Sequence, residues 1–130
     1  MQEMADLLHA CPSGLVAEHQ ESMIGFVLEA PTADPTIWEI AWMAVDARWQ
    51  GQGIGGKLME TLCEALSQQG VRALEVSTVA ESAGYAPYAA TRAFYHHRGF
   101  VDLRVDPDIY WPGGDRLVLR RSLARPPDQQ

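Results

Sequence analysis

Between residues 50 and 57 the chain reads Gln50-Gly51-Gln52-Gly53-Ile54-Gly55-Gly56-Lys57. An apolar segment precedes this stretch, and an amphipathic one follows it. Ile54, Leu58, Leu62 and Leu66 recur every four residues, with Cys63 and Ala65 beside them, as on one face of a helix. The first turn of a helix has backbone N–H groups without internal partners. Those groups and the helix dipole attract anions, and glycines remove the Cβ atoms that would hold a diphosphate away. Strand, glycine turn and helix in this order form a cradle for a pyrophosphate.

The elements that must position the cradle are legible at low detail. Residues 3–10 suit a short helix, with Met4, Leu7 and Leu8 on one side, and Pro12-Ser13-Gly14 then breaks the chain. Leu15–His19 and Met23–Ala30 read as a hairpin. Ile37–Val45, IWEIAWMAV, reads as a strand buried on both faces. Gly70 is placed to end the first long helix. Ala73–Val79 is a strand. A second helix starts near Pro87, runs through Arg98 and stops at Gly99. Phe100–Val105 and Arg116–Ser122 are the last strands, with a loop between them. The expectation is a single α/β (α+β) domain over 1–130, a mixed and mostly antiparallel central sheet with helices on both faces. The polar, proline-rich tail 125–130 is expected to be disordered.

Two better-known phosphate motifs overlap the turn and fit it poorly. Gly51 and Gly56-Lys57 satisfy GxxxxGK, but Leu58 stands where a metal-binding hydroxyl is needed. The run from Gly51 to Gly56 also spells GxGxxG. That fingerprint opens a doubly wound domain and wants an acidic residue about 20 positions on. Here three strands come first, and the chain after the motif is too short for such a domain.

Gln50-x-x-Gly53-x-Gly55 matches the [Q/R]xxGx[G/A] signature of the GNAT superfamily of N-acetyltransferases. Met43-Ala44-Val45 occupies the end of the preceding strand, as in that family. Phe94-Tyr95-His96-His97-Arg98-Gly99-Phe100 resembles its FYxxxGF element. The resemblance spans roughly residues 14–122. It implies acetyl-CoA as the acyl donor, direct attack of an amine on the thioester, and no metal. Backbone N–H groups from Gln50, Gly51, Gln52, Gly53, Ile54 and Gly55, with Gly56 and Lys57 adjacent, would hold the pyrophosphate. Met43, Ala44 and Val45 would pair with the pantetheine arm, and Tyr88 and Thr91 on the second helix would lie within reach of the donor.

The chemistry needs an acid for the leaving thiolate and a base for the amine. The resemblance gives Tyr95 the acid role; its ring could instead only pack in the core. Glu39 is a lone carboxylate inside an apolar strand, 11 residues before Gln50, where some family members keep a general base. Burial would raise its pKa; alternatively it points to solvent or pairs with an arginine. Tyr85, Tyr110 and Trp111 could wall the acceptor site or cap the core edge. His96 and His97 are expected to face outward.

Composition narrows the partners. The net charge of -7 disfavours nucleic acid and is compatible with a cationic amine acceptor. No apolar run approaches a membrane span. Cys11 and Cys63 form no CxxC pair, which fits a reducing cytoplasm. Two departures from the family stand out. Only about 14 residues precede the first hairpin, so the family's first strand is expected to be missing, leaving an open acceptor cleft or one completed by a second subunit in a homodimer. Ser77, Thr78 and Ser82 stand where many members have an asparagine that contacts CoA. Both departures leave open a second reading, an acyl-CoA-binding sensor without catalysis.

Overall fold

The computed structural model describes residues 7–11 and 14–123. Seven strands form one sheet in the order β1-β2-β3-β4-β5-β7-β6. The strands are β1 (Leu7–Cys11), β2 (Gly14–His19), β3 (Ser22–Pro31), β4 (Ile37–Val45), β5 (Ala73–Val79), β6 (Val101–Asp106) and β7 (Arg116–Ser122). Helix α1 (Ile54–Gln68) joins β4 to β5, and α2 (Ala89–His97) joins β5 to β6. Only the β4–β5 pair is parallel; the other five neighbouring pairs are antiparallel. The mixed, mostly antiparallel sheet is the one the pattern predicts.

The N-terminus corrects two expectations. Leu7–Cys11 is a strand, paired antiparallel with β2 from Leu7↔Glu18 to Cys11↔Gly14. It is not helical, and the first strand is therefore present. A short apolar run carries no period that separates strand from helix, and here the exposed backbone edge of β2 decides. Residues 3–6 of the expected helix, and the tail 124–130, lie outside the described residues. Only residues 12 and 13 separate β1 from β2, which leaves no room for a helix between them.

Both described helices lie against the same face of the sheet. β5 and β6 each run antiparallel to β7, so both crossovers join parallel strands and progress in the same direction. Right-handed crossovers then put both helices on one side. A Cβ at Gly55 of α1 would sit 3.4 Å from the Phe94 ring of α2, so the helices touch. Among the described residues no helix covers the other face. β4 accordingly is not buried on both sides: Glu39, Trp42 and Ala44 are exposed, and Trp42 keeps 64% of its surface.

The core lies between the helices and this face. α1 contributes Ile54, Leu58, Met59, Leu62, Cys63 and Leu66, and the sheet supplies Val27, Leu74, Val76, Leu117 and Leu119. Gly25 on β3 brings α1 close, since a Cβ there would lie 3.3 Å from both Ile54 and Leu58 side chains. Arg121 of β7 holds α1 from below with two bonds to the Glu60 carboxylate, 2.9 and 3.0 Å.

Both helices end alike. Gly70 and Gly99 have φ of 88° and 90°. Val71 and Phe100 donate back to Leu66 and Tyr95 carbonyls at 3.0 and 3.1 Å. Each is a Schellman ending, with an apolar contact across it. In the second, Phe100 packs its ring 5.5 Å from that of Tyr95. The spacing Tyr-x-x-x-Gly-Phe is thus the spacing of a helix terminus.

Two stability predictions follow from this packing. Leu58 is fully buried, so Leu58→Ala is expected to cost about 2–5 kcal/mol in urea denaturation. Burial raises the pKa of Glu29 on β3 above 4.5, and its Oε1 is buried without a partner. The unfolded chain therefore ionises first as pH rises, and ionisation favours unfolding. Glu29→Gln should raise the melting temperature near about pH 7 and change nothing near about pH 3, where both states are protonated.

Candidate active site

β4 and β5 start as a parallel pair and then separate. The pairing holds at Ile37↔Ala73, Trp38↔Leu74 and Glu39↔Glu75 and stops there, although β4 continues to Val45 and β5 to Val79. The cause lies on β4's other edge. Its register with β3 shifts between Leu28↔Trp42 and Glu29↔Ile40, leaving Ala41 as an extra residue. Such a bulge bends and twists its strand. β4 beyond Glu39 thus turns a backbone edge without a strand partner towards β5. Unmade backbone bonds are costly when buried, so this edge is a ready acceptor for an extended ligand that can hydrogen-bond to it.

The glycine turn lies where β4 ends. Asp46 opens it: its N–H donates to the Ile24 carbonyl, 2.8 Å, and its carboxylate accepts from the Arg48 backbone and guanidinium. Those bonds, the guanidinium first, hold its pKa below the usual carboxylate value. Ala47–Trp49 form a short 3-10 turn. The Gln50 amide then donates to the Val45 carbonyl at 3.1 Å, which ties the turn back to β4. Gly51 and Gly53 have φ of 82° and 86°, a region costly for residues with a Cβ.

Gly53 is the N-cap of α1 and offers no side-chain cap. Lys57 makes the first helical bond, N–H to the Gly53 carbonyl, 3.0 Å. The N–H groups of Ile54, Gly55 and Gly56 precede it and are left for an anion. Gly51, Gln52, Gly53 and Lys57 are exposed, whereas the Ile54 side chain is in the core.

α2 closes one side of this region. A Cβ at Gly55 would also lie 3.6 Å from Met43 Cε, so β4, α1 and α2 meet there. Met43 therefore faces the helices, and its neighbours Trp42 and Ala44 face away; Val45 is half-buried. Tyr95 lies between Phe94 and Phe100, with ring centroids 5.5 Å from each. It is 8% exposed, and burial pushes its phenol above the usual value of 10.0. Thr91 is half-buried on α2, and Tyr88 is exposed just before it.

Glu39 takes the second of its two readings. It is exposed on the face away from the helices. It adjoins Glu75, which is held by two bonds from Arg120, 2.6 and 2.9 Å. Tyr95 and Glu39 thus lie on opposite faces of the sheet, with the gap between β4 and β5 dividing them. Arg92 donates to the Val79 carbonyl at 2.8 Å and caps the end of β5. His96 faces solvent and pairs with Asp102 at 2.7 Å.

The aromatic residues of the two loops do assemble. Tyr85 meets Tyr88 at 5.8 Å and Trp111 edge-on at 5.7 Å, and Tyr110 adjoins Trp111 at 6.2 Å. Asp115 fastens the β6–β7 loop: its carboxylate accepts from Ser82 and from the Asp108 N–H, and its carbonyl from Ala80. The cluster stands beyond the C-terminal end of β5, formed by the loop after β5 and the β6–β7 loop.

Sequence reasoning missed Arg98. Its guanidinium stacks over Phe94, 5.6 Å from the ring centre, and fills the place that a Cβ on Gly56 would take. The sequence holds no signal for this beyond the glycine itself, because the contact joins two helices.

The sequence model of the acetyltransferase (GNAT) domain matches residues 12–102. The chain belongs to the GNAT acetyltransferase family. It is 29% identical to a protein from Desulfovibrio desulfuricans described as a GNAT-family acetyltransferase, with TM-score 0.78 over 85% of this chain and 67% of that one. It is also 29% identical to the IAA acetyltransferase of Bacillus cereus, TM-score 0.71 over 85% and 79%. A GNAT acetyltransferase from Elizabethkingia anophelis, solved with acetyl-CoA bound, shares the fold at 24% identity and TM-score 0.70, over 85% of this chain and 77% of that one. No curated protein sequence matches the chain. No described helix is long and apolar enough to cross a membrane. In this GNAT chain the two motifs touch where Gly55 meets the Phe94 ring.

The turn geometry can be checked directly. Gly53→Ala places a Cβ at φ 86° and is expected to cost about 1–2 kcal/mol. Thermal unfolding beside Gly55→Ala, whose Cβ meets only ordinary contacts at 3.4 Å, measures the difference.

Proposed function

We propose that this chain transfers the acetyl group of acetyl-CoA to a primary amine by direct attack. The observation that carries the reading is the loss of β4–β5 pairing beside an uncapped glycine-rich helix start. The N–H groups of Ile54, Gly55 and Gly56 would take the pyrophosphate, and the free edge at Met43, Ala44 and Val45 the pantetheine.

The amine nitrogen attacks the thioester carbonyl carbon and forms the N–C bond. A backbone N–H on the free β4 edge would stabilise the oxyanion. Collapse of the intermediate breaks the C–S bond, and Tyr95 gives its proton to the departing thiolate. Burial suits the phenol to this role, because it stays protonated to a higher pH. The amine proton leaves to solvent, directly or through Glu39, which is exposed on the opposite face of the gap. The open face around Trp42 and the aromatic cluster of Tyr85, Tyr110 and Trp111 would border the acceptor.

Free-thiol release from acetyl-CoA across a panel of amines tests this. Tyr95→Phe is expected to lower kcat by about 10²-fold or more while leaving the affinity for CoA within a few-fold. Full turnover by that variant would remove Tyr95 from the mechanism. CoA binding without turnover for any amine would favour the sensor reading.

A further inference from the structure

The proposed donor site contains a cation that the family signature does not supply. Arg48, Arg104, Arg116, Arg120 and Arg121 are each bound to a carboxylate, and Arg92 to a carbonyl. The Arg98 side chain makes no hydrogen bond or close ion pair among the described residues, its backbone N–H alone donating to the Phe94 and Tyr95 carbonyls; Glu60 feels its charge only at longer range. Its position is nonetheless fixed. The side chain leaves the last turn of α2, crosses the face of Phe94 and ends against Gly56. Gly56 is buried beneath it, and any larger residue there would push the guanidinium away.

Gly56 is the third residue of α1 and the last whose N–H precedes the first helical bond. The guanidinium therefore lies beside the last of the residues whose N–H groups are assigned to the donor's pyrophosphate. Its planar donors suit two phosphate oxygens at once. Stacking on Phe94 holds it without a carboxylate that would neutralise it.

We infer that Arg98 is a pyrophosphate-binding residue of the acyl-donor site, positioned by Gly56 and Phe94. This rests on the acetyl-CoA reading above and adds a residue and its positioning to it. The arginine is a binding residue only: it should set the affinity for the donor and leave the chemical step alone.

The test is titration calorimetry of the full chain with CoA and with 3′-dephospho-CoA, which lacks the ribose phosphate but keeps the pyrophosphate. Arg98→Met retains the length and packing of the stem. It is expected to raise Kd for both ligands by the same factor, about 10- to 100-fold, and to flatten the dependence of Kd on salt. KM for acetyl-CoA should rise with kcat unchanged. Arg98→Lys keeps the charge without the fork and should recover part of the loss, and it serves if the Met variant folds poorly. Gly56→Ala should weaken binding similarly by displacing the guanidinium, with little further loss in the double variant.

Equal CoA affinity in wild type and Arg98→Met overturns the inference, as do losses that add fully in the double variant. A loss that vanishes with 3′-dephospho-CoA assigns Arg98 to the ribose phosphate and overturns the pyrophosphate assignment. A wild-type chain that binds no CoA overturns the donor reading itself, a separate result.

Discussion

The rest of the molecule depends on the point where β4 and β5 stop sharing hydrogen bonds. Parallel strands that are neighbours throughout would leave no opening in the sheet. Here three paired positions hold the strands together at one end, and the bulge at Ala41 bends β4 away beyond them. The separation leaves backbone groups unpaired in the middle of the fold. Such groups need a partner, and an extended amide-bearing arm can supply one. The glycine turn, α1 and α2 are arranged around this opening.

The two sides of the opening differ in kind. The helical side is apolar where Met43, Gly55 and Phe94 meet, and the uncapped N–H groups of α1 and the Arg98 guanidinium lie beside that contact. Each is held by packing or by a glycine. The other side has no described helix, with Trp42 and Glu39 in solvent and ion pairs of Glu75 with Arg120 and of Asp106 with Arg116 nearby. Because β1 follows directly into β2, no helix is inserted there. A site with one fixed side and one open side suits a constant donor and a variable acceptor.

Much of the fold was legible in the sequence. The period of four in Ile54, Leu58, Leu62 and Leu66 gives α1, and Gly70 ends it, because both are local properties of the chain. The glycine turn was legible for the same reason. So was the second motif, whose Gly99 and Phe100 make the ending of α2 against Tyr95. The strand at Leu7–Cys11 was not, since its short apolar run has no period and forms only by pairing with β2. Glu39 stayed open because a carboxylate in an apolar strand can be buried or face solvent, and only the sheet decides that it faces solvent.

The sequence by itself determined the order of elements, the turn that can hold a pyrophosphate and the membership of the family. These depend on residues close together along the chain, through helix period, positive φ and capping. Tertiary structure alone decided which strands part, which face stays open, and where Arg92 and Arg98 spend their charge. Arg98 reaches Gly56 across 42 residues, and Arg92 reaches Val79 across 13. Such contacts arise only when α2 packs beside α1 and β5, and no local pattern in the sequence encodes them.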